Sequence, residues 1–244
     1  MIRITDTVKH LIIINVLFFV ATQVFGEQMY QWFALWFPKN ENFQLWQLIT
    51  HMFMHGSIGH IFFNMLVLWM FGSSMEDVWG KEKFIFFFIS AGVGAALLQI
   101  GMNYYYFIEN IQPLLDKGIL QSDIINLLAQ GKFNPYWYEL APESVVNNFI
   151  SEYRSPSLGA SGAIAGIMVA YAFTYPNREL MLLFPPIPIK AKYLVGAYFL
   201  FDLYSAITGV NNGIGYFAHV GGAVLGFLMM WYWKKNSFNK NRWN

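Results

Sequence analysis

The 244-residue chain contains no cysteine. That excludes disulfides, thiolate metal sites and a cysteine nucleophile together. Charge is nearly as scarce. Asp, Glu, Lys and Arg make up 12% of the residues, against roughly 25% in an ordinary soluble domain. The fifteen basic and fourteen acidic residues leave a net charge of +1, and no basic stripe interleaves with aromatics, so nothing points to nucleic acid. No internal repeat stands out. What remains is apolar: 56% of the chain, gathered in blocks.

A helix needs about 20 mainly apolar residues to cross roughly 30 Å of hydrocarbon. Six blocks meet that description: 8–25, 51–71, 84–103, 157–175, 191–208 and 213–233. The expectation is an all-α integral membrane protein, one domain over 1–244. The first block is long for a signal-peptide core and lacks a small-x-small cleavage site, so it reads as a span. The fifth and sixth, separated by a few Gly and Asn residues, read as a tight hairpin.

Eleven of the fifteen Lys and Arg residues fall on the side of the two termini. The positive-inside rule places that side in the cytoplasm, as in a bacterial inner membrane, with 26–50 and 104–156 facing outward. Segment 26–50 is rich in aromatics, including Trp32, Trp36 and Trp46, and suits the headgroup boundary. Segment 104–156 is a polar insertion too long to be structureless. Within it Leu120, Ile124, Leu127 and Leu128 share a helical face closed by Gly131. Pro142 and Glu143 open a second helix with the face Val145, Val146, Phe149, Ile150 and Tyr153.

Polar groups that hydrocarbon penalises are where function is best sought. They are His51, His55, His60, Asn64, Ser161, Asp202 and His219. Ser161 lies about one turn below the outer end of its block, and His219 between one and two turns below the end of its own. His60 and Asn64, four apart on one face, sit two to four turns into theirs. A serine and a histidine at matched depth are the minimum for nucleophilic catalysis, the histidine taking the hydroxyl proton and returning it to the leaving amine. The glycines around both, Gly159, Gly162 and Gly166 and then Gly221, Gly222 and Gly226, permit the close helix approach that such a contact needs. The same glycines would also serve as packing notches alone.

Gly159-Ala160-Ser161-Gly162, Ala218-His219-x-Gly221 and the run from His51 through His55 and His60 to Asn64 together resemble the signature motifs of rhomboid intramembrane proteases. The resemblance covers about 43–103 and 157–233 and implies a six-transmembrane-helix rhomboid-like bundle. It implies a serine endopeptidase with Ser161 and His219 as a dyad and no third carboxylate. An oxyanion hole from the Ser161 amide, His60 and Asn64, with a further amide near Leu158, is implied as well. So are substrates that are themselves membrane-spanning proteins met in the lipid bilayer, with no metal and no cofactor.

Three departures stand out. Gln47 follows Trp46 where many relatives carry Arg. Ala165 stands where many carry an aromatic against the catalytic imidazole, and Tyr216 or Phe217 would substitute for that ring. The 104–156 insertion is longer than in the minimal fold.

Other chemistries fit less well. His51-x-x-x-His55 has zinc spacing but Met52 replaces the hydrolytic Glu. An aspartyl protease needs two span carboxylates and only Asp202 is present, for which a structural hydrogen-bonding role is expected. His51 and His55 are expected near the surface, tying down the first loop. A transporter would show two matching halves with broken helices, and a silent, client-binding relative would lack the serine or the histidine.

Overall fold

The computed structural model describes residues 3–181, 186–209 and 213–240. The first helix, α1, covers Asp6–Phe25. Its orphan N-terminal donors are met from a distant helix. The N–H groups of Thr7 and Val8 donate to the Glu76 carboxylate at 3.0 Å each, and the Thr5 hydroxyl donates to the same group. Gly26, at φ 56°, ends α1 and admits the short α2, Glu27–Phe33.

The loop that follows is organised by Gln47, the first residue of α3 (Gln47–Thr50). Fully buried, Gln47 accepts from the N–H groups of Trp36 and Gln44 through Oε1 and donates through Nε2 to the Gln31 and Asn42 carbonyls. An uncharged amide therefore anchors the loop at the position where many relatives carry an arginine. Trp32 and Trp46 stay more than half exposed, as a headgroup-facing segment would have them, whereas Trp36 and Phe37 are buried.

Block 51–71 is not one helix. A 3₁₀ turn at His51–Phe53 ends at Met54, whose backbone is extended, and a new helix α4 starts only at Ile58. Ser57 fixes that start by accepting the His60 N–H at 3.1 Å. α4 (Ile58–Val67) passes through a π-helical turn at Leu68–Gly72 into α5 (Ser73–Trp79). The third helix of spanning length, α6, runs Lys81–Leu115, 35 residues, well beyond the expected 84–103.

The insertion is helical on the expected faces. α7 (Gln121–Ala129) buries Ile124 and Leu128, though Leu120 is exposed, and α8 is the single turn Trp137–Leu140. α9 (Glu143–Arg154) buries Val146, Phe149 and Tyr153. These side chains join Phe107, Ile111 and Leu114 of α6 and Phe37 of the first loop in a second core, separate from that of the bundle. The insertion is thus a cap on the end of the bundle at which α6 emerges, called the outer end below. A two-residue backbone pairing of Leu35 with Ser157 at 2.8 Å closes the cap onto the first loop.

α10 (Ser161–Thr174) is the central helix, with Gly162 through Ile167 all buried. A short antiparallel hairpin of β1 (Glu179–Met181) and β2 (Pro188–Lys190) leads to α11 (Ala191–Ile207), and α12 covers Tyr216–Lys240. The expected hairpin link at 210–212 lies outside the described residues. By length and composition three stretches among the described residues can cross a membrane: Asp6–Phe25, Ile58–Trp79 and Lys81–Leu115. Ser161–Thr174 is apolar but shorter.

α10 and α12 touch backbone to backbone. A Cβ on Gly222 would stand 1.9 Å from the Gly162 carbonyl oxygen, one on Gly226 2.7 Å from Gly166 Cα, and one on Gly162 2.4 Å from Ala95 Cβ of α6. Side chains at these points would hold the three helices apart, so glycine there sets how closely Ser161 and His219 approach.

Candidate functional site

Ser161 is the first residue of α10, not one turn into a span. Its N–H therefore has no intrahelical acceptor. The preceding Gly159 holds φ 121°, and a Cβ there would lie 2.8 Å from His60 Nε2, so both conformation and space require glycine. Its N–H donates to the His51 carbonyl at 2.9 Å, which fixes the loop that delivers Ser161.

His219 sits in the first turn of α12, its N–H bonded to the Gly215 carbonyl. Its Nε2 is 2.8 Å from Ser161 Oγ, and its Nδ1 is 3.0 Å from Asp202 Oδ2. A carboxylate only accepts, so Nδ1 carries the proton and Nε2 is left to accept from the serine hydroxyl. Asp202 is 3% exposed. The resemblance implies a dyad without a third carboxylate; the Asp202 carboxylate nevertheless lies against His219, in the hydrogen-bonding role expected of it. The depth argument that paired Ser161 with His219 could have found it. Asp202 is five residues from the end of α11 and His219 three from the start of α12, which puts them level in an antiparallel pair.

The ring over the imidazole comes from α11. Tyr198 stacks on His219 with centroids 6.0 Å apart and planes at 29°, its hydroxyl 3.1 Å from Nδ1 and hydrogen-bonded to Asp202. Tyr216 meets the same imidazole edge-on at 6.4 Å, as expected. Phe217, the other ring expected there, packs against Tyr106 instead.

Ser161 and His219 open into a cavity of about 820 Å³ that is also lined by His60 and Asn64. All four residues expected in the site are thus brought together. His60 and Asn64 lie in the first two turns of α4, nearer its start than expected, because the helix begins at Ile58. The Asn64 amide nitrogen is buried and has no acceptor among the described residues. His51 and His55 are buried, not superficial. His51 Nδ1 bonds the Gln47 carbonyl at 2.8 Å, and the His55 ring meets His60 edge-on at 4.8 Å. With the chain broken between them they share no helical face, and among the described residues no three His, Asp or Glu side chains form a metal-holding group.

Residues 42–108 and 135–236 match the sequence model of the Rhomboid domain. Among curated proteins the chain is 29% identical over 221 residues to RHOMBOID-like protein 12, mitochondrial, of Arabidopsis thaliana, covering 90% of this chain and 56% of that protein. It is 27% identical over 191 residues to Rhomboid protease AarA of Providencia stuartii, covering 75% and 54%. With Rhomboid protein 1, mitochondrial, of Saccharomyces cerevisiae it shares 24% over 194 residues, covering 77% and 42%. The chain spans about half the length of these relatives. The domain match takes in most of the chain and both helices of the serine–histidine contact, and the chain therefore belongs to the rhomboid family of integral membrane proteins.

Proposed function

We propose that this protein is an intramembrane serine endopeptidase that cuts membrane-spanning segments of other proteins. The observation that carries the reading is the 2.8 Å contact between Ser161 Oγ and His219 Nε2 in the wall of a cavity of about 820 Å³. In the proposed reaction His219 Nε2 takes the Ser161 proton as Oγ attacks the scissile carbonyl. The C–O bond forms, the carbonyl electron pair moves to oxygen, and the resulting imidazolium is stabilised by Asp202. The oxyanion is received by the Ser161 N–H, the Asn64 amide and the His60 ring, all bordering the cavity. His219 then protonates the leaving amine as the C–N bond breaks. Water, activated by the same nitrogen, releases the acyl group and restores Ser161.

Water must reach a site flanked by hydrocarbon, and the cavity, lined in part by Asn64, Gln99, Asn103 and Ser157, gives it a way in. The Asn64 amide is supported as a donor by its having no hydrogen-bond partner among the described residues. The proposed fold has six spans, with α10, α11 and α12 completing the set, and places both termini in the cytoplasm of a bacterial cell, the protein lying in the inner membrane. The Lys/Arg distribution supports the orientation.

Labelling by a serine-directed fluorophosphonate and cleavage of a single-span substrate in detergent test the activity. Both are expected in the wild type and lost in Ser161→Ala. His219→Ala should lose cleavage to the same degree, and the double variant should be no worse, since neither half works alone. A silent client-binding relative would bind the substrate and show neither signal. Impermeant maleimide on cysteines placed at Ser122 and Asn236 of intact cells should label only position 122 if the proposed orientation holds.

A further inference from the structure

A carboxyl group beside the cavity is left unused by the proposed chemistry. Glu152 lies in the last turn of α9 and is among the residues that border the cavity into which Ser161 opens. Oε1 receives one long hydrogen bond, 3.4 Å, from Asn110 Nδ2 of α6. Oε2 is shielded from solvent and has no protein partner among the described residues. A carboxylate offers about four acceptor positions, so most of its capacity is unmet.

The surroundings favour a cation. Glu109, beside Asn110, adds negative potential. The nearest guanidinium in sequence, Arg154, turns away and donates to the Lys132 carbonyl at 2.9 Å. Burial first, and Glu109 as well, push the Glu152 carboxyl up to about 8, while the Asn110 bond opposes the shift. A carboxyl held neutral by lack of a partner is a poor structural element and a good receptor for a base. Glu109 and Asn110 also fall in 109–134, the stretch that the Rhomboid domain leaves unmatched, so the environment is a feature of this chain's insertion.

α10 runs inward from Ser161, and α9 stands outward of it. A substrate strand with its scissile bond at Ser161 therefore passes Glu152 on its outward flank. We infer that Glu152 forms a subsite selecting a lysine or arginine side chain on the outward side of the scissile bond. This deepens the protease reading and rests on it. Docking costs the carboxyl its proton, which leaves to solvent, and forms a charge-assisted hydrogen bond in a shielded site.

The test scans Arg, Lys, Gln and Glu through the outward flank of a single-span substrate and compares kcat/KM ratios. For the wild type one position should favour Arg or Lys over Gln by about ten- to a hundredfold. In Glu152→Gln that ratio should fall to within about threefold, and Glu152→Lys should favour Glu at the same position. Equilibrium binding of the same substrates to Ser161→Ala, with and without Glu152→Gln, reads the subsite independently of turnover. Ser161-dependent cleavage with no charge preference, or with a preference that survives Glu152→Gln, overturns the subsite alone. No cleavage but a Glu152-dependent preference in binding overturns the protease reading and leaves the subsite standing.

Discussion

Gly222→Ala adds one methyl group where the backbones of α10 and α12 meet most closely. The new Cβ would stand 1.9 Å from the Gly162 carbonyl oxygen and 2.6 Å from its carbon. A relaxed C···O contact needs about 3.3 Å, so the helices must part by more than about 1 Å. Nothing at the contact can rotate away, because the obstructing atoms are backbone. Gly162 is the neighbour of Ser161, and Gly222 is one turn from His219, so the separation falls on the 2.8 Å hydrogen bond between them and takes it out of range. Overpacking of this kind costs about 1–3 kcal/mol, or roughly 2–10 °C in Tm for a chain of this size. A misplacement of about 1 Å at the reacting atoms costs about 10²-fold in rate. Gly101→Ala is the control: a Cβ at this α6 position meets nothing within 4 Å, and the change should be neutral or slightly stabilising. Thermal unfolding in detergent, with the rate of fluorophosphonate labelling, separates the two. A Gly222→Ala protein matching Gly101→Ala in both would refute the claim that glycine sets the Ser161–His219 distance.

Asp202→Asn is expected to lower kcat by about 10²-fold or more with KM little changed, because the histidine loses the acceptor that fixes its tautomer; an unchanged kcat would remove Asp202 from the mechanism. Glu152 has its carboxyl raised from an ordinary 4.5 to about 8 in the folded protein. Its stabilising contribution is therefore fully present below about pH 4.5 and is lost as pH rises through 8. Glu152→Gln should flatten the fall in Tm between those limits, and parallel Tm–pH curves would contradict the buried-acid account. Glu76→Ala leaves the N–H groups of Thr7 and Val8 buried without acceptors, at a cost of about 1–3 kcal/mol each at most. Hydrogen exchange should show the first turn of α1 losing protection before any other part of the bundle.

Much of this molecule is legible in its sequence because a bilayer leaves few options for backbone polar groups. The apolar blocks mark α1, α6, α10, α11 and α12, and the apolar faces of α7 and α9 emerge from simple helical spacing. Ser161 and His219 follow from matched depth. The break at Met54–Ser57 is hard to see because apolar residues resume at Ile58, yet His55, Gly56 and Ser57 interrupt them, and Ser57, followed three residues later by the N–H it caps, marks the start of α4. That break is also what moves His60 and Asn64 into the first turns of their helix. Tyr198, and the place of Asp202 beside His219, are hidden for a different reason. They lie on α11, which carries no glycine-rich motif beside them, and they matter only through a helix that follows in the chain. The role of Gln47 depends on four main-chain partners brought together by a loop, which no spacing encodes.

The 35 residues of α6 amount to about 52 Å of uninterrupted helix, against roughly 30 Å of hydrocarbon. Its membrane portion faces α10 and α12 through Ala91 and Ala95, while its outer turns carry Phe107, Ile111 and Leu114 into the core of the cap. Roof and floor of the cavity are therefore two ends of one rod. A cap joined by a loop could swing like a lid, but this one is rooted in a single helix whose ladder lacks one bond, at Pro113 near its outer end, and tilting it tilts the surface on which Ser161 and His219 close. α6 acts as the fixed arm of a caliper. In the proposed protease, movement that admits a transmembrane segment would fall to the helices joined by loops, and the cap held on α6 would measure off a set length of substrate outward of Ser161.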